Sequence, residues 1–510
     1  MNVLRSLVPI LGLSVVALGV LCLGCGSGSN APGTPQIAIS KTQNPLVFLY
    51  QVTEFGPANV WVEFGTDTSY GRQTSDTAET GRYTNTAAIL VAGMKPNTTY
   101  HMRAHVDYAF GGTWVDGDQT IQTGDLPSDN HLTMKVSRPN PGLNVKQEGV
   151  ELLDIDAPGT TNIGGAVADL DGNIIWYFTR GTSAAVFPFP IKPLPNGHML
   201  VSLGDVTEEI DLAGSIIRSL SVSSLNQRLQ AAGFDLNVMD LHHDVLVLPN
   251  GHWVLLGQTS RTFTNLPGYS GALDVIGDVL VDVDENWNPV WVWSSFDHMD
   301  VNRHLMGLPD WTHSNAVIYS SIDGNILLSM RNQSWILKID YENGTGSGNI
   351  LWRLGEDGDF ELTQDLSSQW FYAQHFPYLI KETGSQLQLA IFDDGDLRIP
   401  DDGGAGCLGL YPSCYSRAVV IAADESTKSA AVQWQFLPDL YTLWGGSIIT
   451  LGYGDVEFDV TAPFGQTLAS RVLEVTQTSD PEIVWQLDIT GGNAYRAYRI
   501  PSLYPGVTWH

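Results

Sequence analysis

The sequence predicts an all-β protein: a six-bladed β-propeller preceded by a small β-sandwich domain. Three observations carry this. Of 510 residues 52 are Gly and 15 Trp, while only 16% are charged, a profile of short strands and tight turns rather than long solvated helices. From about Val150 a phrase recurs, made of an Asp/Asn-Gly turn, a β-branched pair and a tryptophan. A second phrase, a hairpin turn running into a strand, interleaves with it.

Taken in chain order, the first element is a targeting segment, residues 1–25. Arg5 precedes an apolar run from Leu7 to Leu23, and the composition then turns to Gly-Ser-Gly-Ser-Asn, so residues 26–33 read as a tether. Export follows as the expectation, to the periplasm or cell envelope. Leu23-Gly24-Cys25 resembles the end of a bacterial lipobox, although Cys22 stands where a Leu is usual. Lipidation of Cys25, and through it a membrane tether, is expected; an ordinary secretory cut nearby is the alternative. Nothing later offers ~18 consecutive apolar residues, the length of a membrane-spanning helix. The net charge of −30 repels phosphate backbones and argues against nucleic acid as a partner.

Residues 34–125 carry spaced alternating runs such as Val47-Phe48-Leu49-Tyr50, Val60-Trp61-Val62-Glu63-Phe64 and Tyr100-His101-Met102-Arg103-Ala104, the pattern of a β-sandwich. Met94-Lys95-Pro96-Asn97-Thr98-Thr99-Tyr100 resembles the fibronectin type III pattern of a Pro-bearing turn before a corner Tyr. No residue between Thr34 and Thr123 looks chemically poised, so this domain is expected to be a spacer or docking surface.

Residues 126–510 hold the repeats. Trp176, Trp291, Trp352, Trp434 and Trp485 end the first phrase, and Pro195-Asn196-Gly197-His198, Pro249-Asn250-Gly251-His252 and Ile322-Asp323-Gly324-Asn325 open the second. About 360 residues at a period of roughly 40 to 70 give about six blades. Two stacked sandwiches would not explain the recurring tryptophan. Cys407 and Cys414 are the cysteines left outside the leader, and a disulfide across their short loop is expected in an oxidising compartment.

A propeller turns the start of each innermost strand toward one central channel, so reactive residues just before an apolar strand in several repeats converge. Three such places stand out: Asp240-Leu241-His242-His243-Asp244, Asp310-Trp311-Thr312-His313-Ser314-Asn315 and Tyr372-Ala373-Gln374-His375-Phe376. A single histidine of this kind is more often a packing or surface residue; three in corresponding positions point to chemistry near neutral pH. Arg331 adds a planar donor fork suited to a tetrahedral oxyanion, with a salt bridge to Asp323 or Asp340 as the plain alternative. His242 and His243 point to opposite faces of a strand; His243, three residues after Asp240 as His313 is after Asp310, is the favoured channel residue. The aspartates 393, 394, 396, 401 and 402 do not match a calcium loop, and no metal or other cofactor is expected.

The run from Asp310 to Asn315, with Ser329-Met330-Arg331-Asn332-Gln333, Ile350-Leu351-Trp352-Arg353-Leu354-Gly355, Gln374-His375 and Phe392-Asp393-Asp394-Gly395, resembles the bacterial arylsulfate sulfotransferases. The resemblance covers roughly Val150 to His510. It implies transfer of a sulfuryl group from an aryl sulfate to a phenol, both small molecules, without a nucleotide sulfate donor, through a sulfurylated histidine that matches His375. His313, Arg331 and one of His242 and His243 would hold the sulfuryl oxygens and handle the phenol proton, and Asn315, Trp311 and Gln374 are expected at the substrate. A hydrolase using the same site, and a binding module that turns nothing over, are the alternatives; the second would not need a histidine in three repeats.

Overall fold

The structure, a computed structural model, describes residues 33–140, 142–143, 148–157, 159, 161–179, 188–363, 370–399, 407 and 414–510. Cys25, Asp401 and Asp402 lie outside them. The described chain is all-β, with two short α-helices, Val222–Ala232 and Ser295–His298, among its strands.

The N-terminal unit is two sheets packed face to face. One joins Gln36–Lys41, Phe48–Phe55 and Thr84–Val91; the other is centred on Ala58–Gly65 and Thr99–Tyr108. Alternation does the sorting: Tyr50 and Val52, Val60, Val62 and Phe64, Met102, Ala104 and Val106 all point inward and are buried. The Tyr100 hydroxyl accepts the Lys95 N–H at 3.0 Å, tying the turn before it to the strand.

Six sheets follow, each built on a four-strand antiparallel meander; the chain closes on itself in the first and sixth, and the fifth gains the short strand Glu361–Leu362, which pairs parallel at its outer edge. The second to fifth begin with Ile191–Pro193, Asp240–Val247, Ser314–Tyr319 and His375–Thr383; the sixth begins with Ile448–Thr450 and gains Thr133–Ser137 as its outermost strand. The first sheet is assembled from both ends of this region: Val150–Asp156, Ile163–Ala168 and Ile174–Thr179 are completed by Asn493–Ile500. Hydrogen bonds link each sheet to the next. Ile191 N–H reaches Asp154, Leu241 N–H the Gly204 carbonyl, Val317 N–H Asp244, the Asn315 amide the Gln374 carbonyl and Gly445 N–H His375. Gly446 N–H then returns to Tyr495 on the first sheet.

The recurring tryptophans lie in the last meander strands and are all buried. Three donate their indole N–H to the neighbouring sheet: Trp176 to Leu212, Trp291 to Gly346 and Trp485 to Leu170. A flat ring fills the wedge between twisted sheets, and in these three its one donor also satisfies a carbonyl there. Cys407 and Cys414 form a disulfide with 5.4 Å between their Cα atoms.

Residues after Ile500 leave the ring and pack on the N-terminal unit. Trp509 donates to the Gln73 carbonyl at 3.0 Å, stands edge-on to Phe64 and lies under the Arg72 guanidinium. The Tyr504 hydroxyl accepts from Ala92 N–H and donates to the Leu90 carbonyl, both at 2.7 Å. The two units thus share one apolar cluster. Trp509→Ala empties a buried site on both sides, and the expected cost is about 3 to 5 kcal/mol. A urea midpoint unchanged from the parent would show that this tail does not hold the units together.

Candidate active site

The three histidines meet because their strands begin irregularly. His243 has a left-handed backbone, φ 57°, where pairing slips between Leu241 and Val245. His313, φ 48°, precedes a slip between Ser314 and Ala316. His375 sits between left-handed Ala373 and Phe376, at a slip that ends at Tyr378. A bulge turns a side chain away from the sheet face it would otherwise share, and each one here aims an imidazole at the same end of the ring. The His243 and His313 rings are 4.8 Å apart; Tyr495 lies 5.6 Å from His243 and 6.0 Å from His375.

A carboxylate backs two of the three histidines, and a second histidine backs the other. His375 Nδ1 is 2.7 Å from Asp394, and His313 Nδ1 is 2.5 Å from Asp310. Behind His243, His242 Nδ1 lies 2.6 Å from His243 Nδ1, and His242 Nε2 lies 3.2 Å from Asp278, off the line of a straight hydrogen bond. His243 is therefore the one beside His313, and His242 faces inward. Burial, then the charge of Arg331, holds the His375 pKa well below 6.5; burial, then His313, does the same for His243. Burial, reinforced by Asp396, raises Asp394 well above the usual carboxylate range. Gly445 N–H donates to His375 Nε2 at 3.3 Å, so the neutral ring carries its proton on Nδ1, toward Asp394, and presents a lone pair on Nε2. A side chain at Gly445, φ 79°, would strike Thr461 and push this backbone away.

Arg331 reaches the same region from a 3-10 turn, Arg331–Gln333, and its ion-pair partner is neither Asp323 nor Asp340. Asp323 pairs with Lys338, and Asp340 accepts from Ser347. Arg331 instead donates to Asp396 at 2.9 Å and to the Leu443 carbonyl at 2.8 Å through one terminal nitrogen, and to Asn332 through the other. Its Nε is buried without a partner.

The described aspartates of this stretch are hydrogen-bonded scaffold. Asp393 takes Arg398 and Arg417, Asp394 takes His375, and Asp396 takes Arg331 and the Tyr441 hydroxyl. Burial raises Asp396 to about 6, with Arg331 opposing the shift.

Three residues expected at the substrate have structural partners instead. Trp311 is 1% exposed, stacks on Phe296 and donates to the Arg303 carbonyl. Gln374 is buried with its amide given to Ser329, Met330 and Trp335, and Asn315 is buried with its amide on Gln374. Each amide nitrogen satisfies carbonyls between sheets, and each side chain keeps an unpartnered carbonyl oxygen.

Sequence reasoning missed Tyr495 and Arg496. The Tyr495 ring contacts Phe189 at 4.3 Å and stacks toward Trp444 at 6.2 Å, and its buried hydroxyl has no hydrogen-bond partner. Arg496 is fully buried, donates to the Asn315 carbonyl and lies 3.6 Å from Asp244. Both belong to Asn493–Ile500, whose strand partner starts at Val150, so no local repeat marks it as an innermost strand. Among the described residues no group of three His, Cys, Asp or Glu is placed to hold a metal ion.

Comparison with known proteins bears on this geometry. No curated protein matches the chain. Solved structures that resemble it include a protein of unknown function from Bacteroides caccae, 10% identical over 68% of this chain and 98% of that one, TM-score 0.41. Another is dihydro-heme d1 dehydrogenase NirN in complex with DHE, 12% identical over 72% and 80%, TM-score 0.31. At such scores these likenesses carry no weight. The family of arylsulfotransferases (ASST) matches residues 140–499, which hold every histidine of the site and the six sheets apart from the strand Thr133–Ser137, and the chain belongs to that family as an aryl-sulfate sulfotransferase.

Proposed function

We propose that the chain moves a sulfuryl group from a phenolic sulfate ester to a second phenol in two displacements, through a sulfohistidine at His375, with the six sheets acting as blades of one propeller around the site. The observation that carries this is the His375 imidazole held between Asp394 and Gly445 N–H, neutral and with its lone pair on Nε2. In the first displacement the long Gly445 N–H contact to Nε2 is given up, the freed lone pair attacks sulfur, the sulfur–phenolate bond breaks, and the leaving oxygen takes a proton from His313. The resulting N-sulfo imidazolium keeps its Nδ1 proton on Asp394. In the second, the acceptor phenol gives its proton to His313, its oxygen attacks sulfur, and the Nε2–sulfur bond breaks. Charge grows on the three sulfuryl oxygens during each transfer, and the partnerless Arg331 Nε–H and the His243 ring are the donors proposed to meet it.

The competing hydrolase differs only in the acceptor. Release of phenol from an aryl sulfate is expected to quicken on adding a second phenol, with that phenol recovered as its sulfate; phenol release indifferent to the acceptor would favour hydrolysis. The pH profile gives a separate check. The nucleophile works unprotonated, and a folded-state pKa lowered below 6.5 keeps it so in mild acid, so the donor half-reaction is expected to show no acid-side loss at pH 6.5 and to lose rate on that side only as pH drops through the lowered value. An acid limb centred at 6.5 would show that His375 titrates as a solvated imidazole.

For location, we propose export and anchoring by lipid at Cys25, supported by the leader composition and the lipobox-like Leu23-Gly24-Cys25.

A further inference from the structure

The far end of the N-terminal unit carries three exposed aromatic side chains, one closing the strand Phe48–Phe55 and two on neighbouring loops: Phe55 is 51% exposed, Tyr83 78% and Phe110 85%. They belong together. Gly56 N–H bonds to the Tyr83 carbonyl, Ala109 N–H bonds to the Pro57 carbonyl, and a Cβ on Gly56 would lie 3.9 Å from the Phe110 ring. Large apolar rings scattered singly on a surface need no explanation, but three converging on one tip do.

Strand register fixes where this tip lies. Phe55 pairs with Thr84 and Ala58 with Tyr108 at one end, while Phe48 pairs with Val91 and Gly65 with His101 at the other. The second end is the one that holds the ring's tail, through Gln73, Leu90 and Ala92. The tip thus stands a strand length, about 26 Å for eight residues, from the surface that meets the ring. Register also fixes where the chain enters. Gln36 pairs with Thr53, so the polypeptide arriving from Cys25 joins the sandwich beside Phe55. The eleven residues from Gly26 to Gln36 hold this end within about 40 Å of Cys25 at full stretch, and nearer in any relaxed state.

We propose that Phe55, Tyr83 and Phe110 seat in the headgroup region of the bilayer that receives the Cys25 lipid, so that the sandwich stands on the membrane by its aromatic tip and carries the catalytic ring at its opposite end. Aromatic rings favour that interfacial layer, and stable attachment takes a second contact beside an acyl chain. The tip has Arg82 as its cation and Asp107 and Glu79 as nearby acids, and the chain carries −30 overall, so the surface it fits is zwitterionic rather than anionic. This rests on the anchoring reading of Cys25 and is independent of the sulfuryl-transfer reading.

The test uses the full chain on vesicles of phosphatidylethanolamine and phosphatidylcholine. A polarity-sensitive fluorophore is placed by Phe110→Cys, with Ile217→Cys, exposed on the second sheet, as the control position and the unsubstituted chain as labelling background. The expected result is a several-fold rise in emission at position 110 on vesicle addition and none at 217. Mass measurement of the N-terminal peptide reads acylation by itself, so a chain without acyl whose label still enters the bilayer supports the tip while removing the anchor. A vesicle-bound chain with an aqueous label at 110 overturns the proposal and leaves a partner protein as the occupant of the tip. The triple variant Phe55→Ser, Tyr83→Ser, Phe110→Ser is expected to lose about tenfold or more in vesicle partitioning. Its sulfuryl transfer in solution should match the parent, and unchanged partitioning also overturns the proposal.

Discussion

His375→Ala is expected to lower sulfuryl transfer at least about a thousandfold, because it removes the atom to which sulfur is passed rather than a group that assists. With donor and no acceptor, the parent chain should hold one acid-labile sulfuryl group, released to a phenol added later, and peptide mapping should place it on His375. The substituted chain should hold none. An adduct on another residue, or steady-state kinetics showing both substrates bound before either product leaves, would defeat the covalent assignment. The variant needs a folding control because the imidazole is 1% exposed and is bonded on both sides. Removing it strands Asp394 and Gly445 N–H, a loss of about 1 to 3 kcal/mol. Asp394→Asn separates placement from chemistry: the nucleophile stays, but its Nδ1–H loses the carboxylate that fixes the tautomer, so adduct formation should slow while the adduct still maps to His375.

The all-β class was legible because it rests on local signals. Asn-Gly and Asp-Gly turns do force left-handed glycines, as at Gly197 and Gly251, and each repeated tryptophan answers the same steric need, a ring between twisted sheets. Closure was less visible. The last sheet takes its outermost strand from ahead of the repeats, Thr133–Ser137 pairing with Ile483–Thr490. But Asn493–Ile500 completing a sheet that begins at Val150 is a contact across the whole ring, and nothing in either segment's composition announces it. The seating of Tyr504 and Trp509 in the sandwich was unread for the same reason.

At the site, position within a repeat was informative and residue chemistry alone was not. His243, His313 and His375 were found because each precedes an apolar strand, and the spacing from Asp240 and Asp310 favoured His243 over His242. The structure places the His243 ring beside His313. Trp311 and Asn315 lie two residues before and after His313, and Gln374 one before His375; in these places an indole N–H or an amide is consumed by carbonyls between sheets. The aspartates after Phe392 do not match a calcium loop, but sequence does not show that Asp394 and Asp396 face the histidine and the arginine of other segments.

Arg331 is where the expected effect of a conservative change is largest. One terminal nitrogen is committed to Asp396 and Leu443 and the other to Asn332, which leaves Nε–H as the donor without a partner. Lysine at this position keeps a cation for Asp396 but has no fixed second donor, so it preserves the ion pair and loses the contact proposed for a sulfuryl oxygen. Arg331→Lys is therefore expected to reduce turnover at least about tenfold, and Arg331→Ala about a hundredfold, the range seen when one donor to a developing oxyanion is removed. The loss should fall on both half-reactions alike, since the sulfuryl group passes the same donor on its way to His375 and away from it. Arg353→Lys is the comparison. Arg353 lies over the Trp335 ring and pairs with Asp359 at the surface, and its replacement should leave turnover within about twofold. Equal losses at the two positions, or near-parent turnover in Arg331→Lys, would assign Arg331 to holding Asp396 and Leu443 in place and would remove it from the chemistry.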